Sequence, residues 1–86
     1  MKVSVEITLI PIKKNYTSII KKFIKTIRDS GFKVIENPLS TQVYGDYDLL
    51  MSYLNKEIKN VFNDKDYIIV QLKLLNVDRS DYTPDF

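Results

Sequence analysis

Ser40 and Thr41 are adjacent hydroxyls opening the run Ser-Thr-Gln-Val-Tyr-Gly-Asp-Tyr-Asp, which ends on two carboxylates, Asp46 and Asp48. On an extended strand, neighbouring side chains point to opposite faces, so one hydroxyl of the pair must face any pocket beside the sheet. Gly45 lets a backbone or a ligand approach closely. Asp46, next to it, is well placed to cap a following helix. Asp46-x-Asp48 lacks the further oxygen ligands that a hard cation requires, so no metal is expected there.

The chemistry the chain lacks narrows the reading further. It has no cysteine and no histidine. Disulfides, thiolate nucleophiles, Cys/His zinc sites and Ser-His pairs are therefore excluded. General acid–base catalysis would fall to carboxylates, lysine or tyrosine, and no constellation of these stands out. Acyl phosphatases, for comparison, cradle phosphate with an arginine in a glycine-rich loop. Here the arginines are Arg28, in a helical stretch, and Arg79, in the tail, and Pro11-Ile12-Lys13-Lys14-Asn15 has no glycine. The chain reads as a binder rather than an enzyme, with no cofactor.

Charge and hydropathy exclude other classes. The formal net charge is +2, with no basic block longer than Lys13-Lys14 or Lys21-Lys22, so no basic stripe for nucleic acid is present. No apolar run approaches the roughly 20 residues that span a bilayer, and the early Glu6 interrupts any secretory signal. A cytoplasmic protein without membrane insertion is expected. At 44% hydrophobic and 28% charged residues the composition is globular, and 86 residues fit one domain, 1–86.

Periodicity supplies the elements that position these groups. Val3, Val5, Ile7 and Leu9 alternate with Ser4, Glu6 and Thr8, the pattern of a half-buried strand that Pro11 should end. From Asn15 to Ser30 the step becomes three and four: Tyr16, Ile19, Ile20, Phe23, Ile24 and Ile27 make one helical stripe. Asn15 or Thr17 can cap it, and Gly31 can stop it. Residues 32–36 and 40–45 read as two short strands around the Asn37-Pro38 bend. A second helix follows Asp46, with Leu49, Leu50, Tyr53, Leu54, Ile58, Val61 and Phe62 as its stripe. The polar turn Asn63-Asp64-Lys65-Asp66 ends it, and residues 67–76 form the last strand.

The order βαββαβ predicts an α+β, ferredoxin-like fold: a four-stranded antiparallel sheet with two helices on one face. Val3, Val5, Ile7 and Leu9 should face the helices, joined by Ile68, Val70, Leu72 and Leu74. The other face then carries Ser4, Glu6, Thr8 and Ile10 beside Tyr67, Ile69, Gln71, Lys73 and Leu75. Such a mixed face suits a contact between subunits, a ligand floor, or both.

Several of these features occur together in one family. Val3-Ser4-Val5-Glu6-Ile7-Thr8-Leu9-Ile10-Pro11, the Ser30-Gly31-Phe32 helix end, Pro38-Leu39-Ser40-Thr41-x-Val43-x-Gly45-Asp46 and the long final strand match the YkoF-like thiamine-binding family, also described as MTH1187-like. The resemblance covers nearly the whole chain. It implies a non-catalytic protein of thiamine salvage or transport that binds thiamine or its hydroxymethylpyrimidine part and assembles as a homodimer or homotetramer. Under that resemblance Glu6, Thr8, Ser40, Thr41 and Asp46 are candidates for the pyrimidine edge, and Tyr44, Tyr47 or Tyr53 for the cationic ring. The alternative is an oligomeric interaction or regulatory module with no small-molecule ligand.

Overall fold

A computed structural model describes residues 1–12, 17–63 and 67–86. Its elements are β1 (Lys2–Pro11), α1 (Thr17–Arg28), β2 (Lys33–Glu36), β3 (Thr41–Asp46), α2 (Tyr47–Phe62) and β4 (Ile68–Leu75). The order is the expected βαββαβ. Asn15 as a cap, Tyr16 in the stripe and the 64–66 part of the polar turn lie outside the described residues.

The four strands form one antiparallel sheet in the order β2-β3-β1-β4. Val5 pairs with Val43 on one side and Leu74 on the other, and Val43 pairs with Val34. That row lies on the helix-covered face, as the alternation of β1 demands. Val3, Val5, Ile7 and Val43 are all buried there, beneath Phe23 and Ile27 of α1 and Leu50 and Leu54 of α2. Burying one such aliphatic side chain contributes about 1.5–3 kcal/mol, so this small cluster is the main cohesive element of the fold.

Pro11 does end β1, as its last residue, paired opposite Ile68. The Ile12 N–H donates to the Tyr67 carbonyl at 2.8 Å, which fixes Ile12–Tyr67 as a hydrogen-bonded pair. By the alternation of antiparallel ladders, the missing Pro11 donor then points away from β4, toward the side where β3 has already ended. Leu72 and Leu74, expected under the helices, are 38% and 44% exposed, because β4 is the outer strand and the helices pack over the strands inside it. Leu49 and Phe62, at the margin of the α2 stripe, are likewise exposed.

Local chemistry explains the joints. α1 has Lys25 and Arg28 in its last turn, where cations suit the helix dipole. Gly31 follows at φ +87°, a left-handed conformation that costs glycine little. Arg28 then reaches β2 with a two-pronged bond to Glu36, at 2.6 and 2.7 Å. The arginine is the main reason the Glu36 carboxyl titrates below its ordinary range. α2 packs on α1 through Tyr53, whose hydroxyl donates to the Thr26 carbonyl at 3.1 Å.

Candidate functional site

The open face of the sheet can be read row by row from the register. Glu6 lies between Gln42 of β3 and Lys73 of β4, with Ile35 of β2 beyond Gln42. In the next row Thr8 pairs with Gln71. Ser40 stands just before β3 and reaches across to β1, where its hydroxyl donates to Glu6 Oε2 at 3.0 Å. One carboxylate, two hydroxyls, two carboxamides and a lysine thus share one floor. Ile10 and Ile69 border it at one end and Leu75 at the other, all exposed.

The loop that delivers Ser40 is held by its own side chain. Asn37 Oδ1 accepts from the backbone N–H groups of Leu39 and Ser40 at 3.1 and 3.0 Å, and the Asn37 N–H donates to the Ser40 carbonyl at 3.1 Å. This Asx turn, reinforced by the rigid Pro38, sets where the Ser40 hydroxyl stands.

The six residues singled out from sequence fall in four places. Glu6, Thr8 and Ser40 come together on the open face. Thr41 pairs with Ile7 and lies on the opposite face, only 8% exposed. It lines a cleft of about 220 Å³ between α1 and the 37–40 loop, to which Thr8 and Ser40 also contribute, among apolar groups such as Leu9, Ile20 and Phe23. Asp46 stands apart, at the far end of β3. It caps α2 by accepting from the Leu49 N–H at 3.4 Å and lies 3.8 Å from the chain's amino terminus.

Tyr44 is on the open face but is 8% exposed, beside the segment after β4. Ser4 anchors that segment: its hydroxyl donates to the Val77 carbonyl at 2.7 Å and accepts from the Arg79 N–H at 2.9 Å. Burial, with the carboxylates of Asp78 and Glu6 nearby, raises the Tyr44 phenol above its ordinary range, so it remains a donor. It donates to Gln42 Oε1 at 3.1 Å. Of the other two tyrosines, Tyr47 is exposed at the start of α2 and Tyr53 packs against Phe32, their ring centroids 5.6 Å apart.

Gln42 was not among the sequence candidates. Its only signal there was its spacing two residues from both Ser40 and Tyr44, which puts all three on one face of a strand. Gly45 was expected to admit a backbone or a ligand, and what it admits is the Phe32 ring. A Cβ built at position 45 would lie 2.7 Å from Phe32 Cδ1.

Other features lie elsewhere. A larger hollow of about 510 Å³ opens between α1 and α2 and contains none of the six candidates. Among the described residues, no group of three or more carboxylates is placed to hold a metal. No helix among them is long and apolar enough to cross a membrane.

The sequence matches the model of a family described as thiamine-binding protein over residues 5–84. The chain belongs to this thiamine-binding family. Solved structures agree on the fold. A Thermotoga maritima protein assigned to thiamine biosynthesis or salvage is 23% identical, with a TM-score of 0.76 over 86% of this chain and 82% of that one. A Streptococcus pneumoniae protein superposes with a TM-score of 0.82 at 19% identity, covering 91% and 89% of the two chains. A Methanocaldococcus jannaschii protein is 26% identical, with a TM-score of 0.74 over 90% and 81%. Among curated proteins, none matches the sequence. The YkoF/MTH1187-like resemblance and the ferredoxin-like architecture therefore both hold.

Proposed function

We propose that the chain binds thiamine, or the hydroxymethylpyrimidine part of it, on the open face of the sheet around Glu6, Thr8 and Ser40, and that it does so without catalysis. The observation that carries this reading is the Ser40–Glu6 hydrogen bond. It ties the loop before β3 to a carboxylate at the centre of the sheet, with further donors and acceptors on both sides. Thiamine offers an aminopyrimidine edge and a positively charged thiazolium. A carboxylate serves both, accepting from an amine and attracting a cation. Membership of the thiamine-binding family supports the same ligand class. In thiamine salvage or transport, such a protein would hold the vitamin or its precursor for a partner.

The floor is open, and a ligand site is normally concave. A second copy of the chain laid against this face would enclose it, and would also cover Ile69 and Leu75, 46% exposed each. The proposal therefore includes a homodimer or homotetramer, which would add burial to a thin core. The exposed apolar residues on both faces of β4 also favour a second reading, an oligomeric interaction module with no small-molecule ligand.

Calorimetric titration with thiamine and with hydroxymethylpyrimidine, paired with light scattering, separates the two. Saturable heat that weakens in Ser40→Ala supports the binder. An oligomer that gives no heat and no melting shift with either compound supports the module.

A further inference from the structure

Two side chains on the open face each have one polar end already engaged. The Ser40 hydroxyl occupies Glu6 Oε2, and the Tyr44 hydroxyl occupies Gln42 Oε1. Among the described residues, Glu6 Oε1 and Gln42 Nε2 have no partner. Glu6 and Gln42 are direct cross-strand partners. Ladder alternation makes them a non-hydrogen-bonded pair, the arrangement in which facing side chains approach most closely. The two free ends, an acceptor and a donor, thus belong to facing residues of one row of the sheet.

We infer that Gln42 is a specificity-determining residue of the site, oriented by Tyr44, and that the Glu6–Gln42 pair reads a ring nitrogen flanked by an exocyclic amine. This rests on the reading of the open face as the ligand floor. The amine donates to Glu6 Oε1, and the neighbouring ring nitrogen accepts from Gln42 Nε2. A carboxamide can present either its oxygen or its nitrogen, because the two ends differ little in shape. Tyr44 sets the choice seen here: its hydroxyl donates to the Gln42 oxygen at 3.1 Å, which leaves the amide nitrogen for the ligand, although a phenol could also accept from a turned amide. Tyr44 is accordingly a positioning residue that does not itself touch the ligand. Its burial beside the segment anchored on Ser4 holds the phenol in place.

The ring with an oxo group in place of the amine reverses the pattern, presenting an acceptor beside an N–H. The thiazolium substituent fixes which way the ring lies, so thiamine's oxo analogue, oxythiamine, meets like groups at both contacts. Leaving such groups unpaired lowers affinity by more than about tenfold.

The test is calorimetric titration of the intact chain with thiamine and with oxythiamine, in wild type, Tyr44→Phe and Gln42→Leu, each with a melting curve to show that it is folded. The expected result is a preference for thiamine of more than about tenfold in wild type. Tyr44→Phe should narrow that ratio several-fold by freeing the amide to turn, with a smaller effect on thiamine itself. Gln42→Leu should weaken thiamine about tenfold. A ratio unchanged in both folded variants overturns the inference and leaves the thiamine reading standing. Wild-type protein that binds neither compound removes that reading, and the inference with it.

Discussion

Ser40 and Glu6, 34 residues apart in sequence, meet at 3.0 Å on the open face of the sheet. The contact joins the one polar loop ahead of β3 to the one carboxylate inside β1. It engages Glu6 Oε2, the oxygen nearer the 37–40 loop's hydroxyl.

Removing that hydroxyl should loosen the carboxylate without harming the fold, since both residues are only half-buried. Ser40→Ala is expected to weaken thiamine binding about threefold to tenfold, the value of one charge-assisted hydrogen bond. Glu6→Gln should weaken it more, because the attraction for a cation is lost as well. Calorimetry on both variants measures the difference, and melting temperatures near wild type confirm that the effect is local.

Gly45 and Phe32 are as tightly coupled as a glycine and a ring can be. Gly45→Ala places a Cβ 2.7 Å from the ring, which has Tyr53 behind it. The expected cost is about 1–3 kcal/mol of overpacking, read from a urea midpoint. Phe32→Leu, added to Gly45→Ala, should recover part of the loss.

Asp46 is expected to act on stability and not on binding. It caps α2, and the cap residue satisfies an otherwise orphaned N–H at the helix start. Asp46→Ala should cost about 1 kcal/mol in chemical denaturation. Thiamine affinity should be unchanged, because Asp46 stands at the far end of β3 from Ser40.

The fold was largely legible because each element has its own period and its own stop. The alternation of Val3, Val5 and Ile7 named the buried face of β1, and Gly31 and Asp46 marked the ends of the intervening segments. The site was legible only in part, because strand register lies outside local periodicity. Knowing that Ser40 and Thr41 face opposite ways does not say which one meets Glu6. That is decided by the β1–β3 pairing, which places Thr41 opposite Ile7 in the core. Gln42 was missed for the same reason. Its partner in the sheet is Glu6, and the hydroxyl that orients it, Tyr44, is buried beside a segment that arrives from the other end of the chain. The exposure of Leu72 and Leu74 follows from strand order, which alternation alone does not specify.

The Arg28–Glu36 pair gives the fold a dependence on acid. Its carboxylate has a folded pKa below the ordinary 4.5, with the hydrogen bond from Arg28 as the leading cause. A depressed carboxylate pKa means that the folded state binds its proton less readily than the unfolded one. The stabilisation is therefore fully present above the ordinary value and lost as pH falls through the folded one. Urea midpoints measured from pH 6 downward should decline across that window in wild type. They should decline less in Glu36→Gln, which has no proton to gain there. Equal slopes in the two proteins would show that the pair contributes nothing to acid sensitivity.

The central claim is the location of the ligand, and amide chemical-shift mapping during a thiamine titration tests it most directly. Shifts that saturate together at Glu6 to Thr8, Ser40 to Gln42 and Gln71 to Lys73, with little change in the groove between Thr26 of α1 and Asn60 of α2, are the predicted result. Shifts confined to that helical groove, or to Ile20, Phe23 and Ile24 beside the apolar cleft, would contradict it.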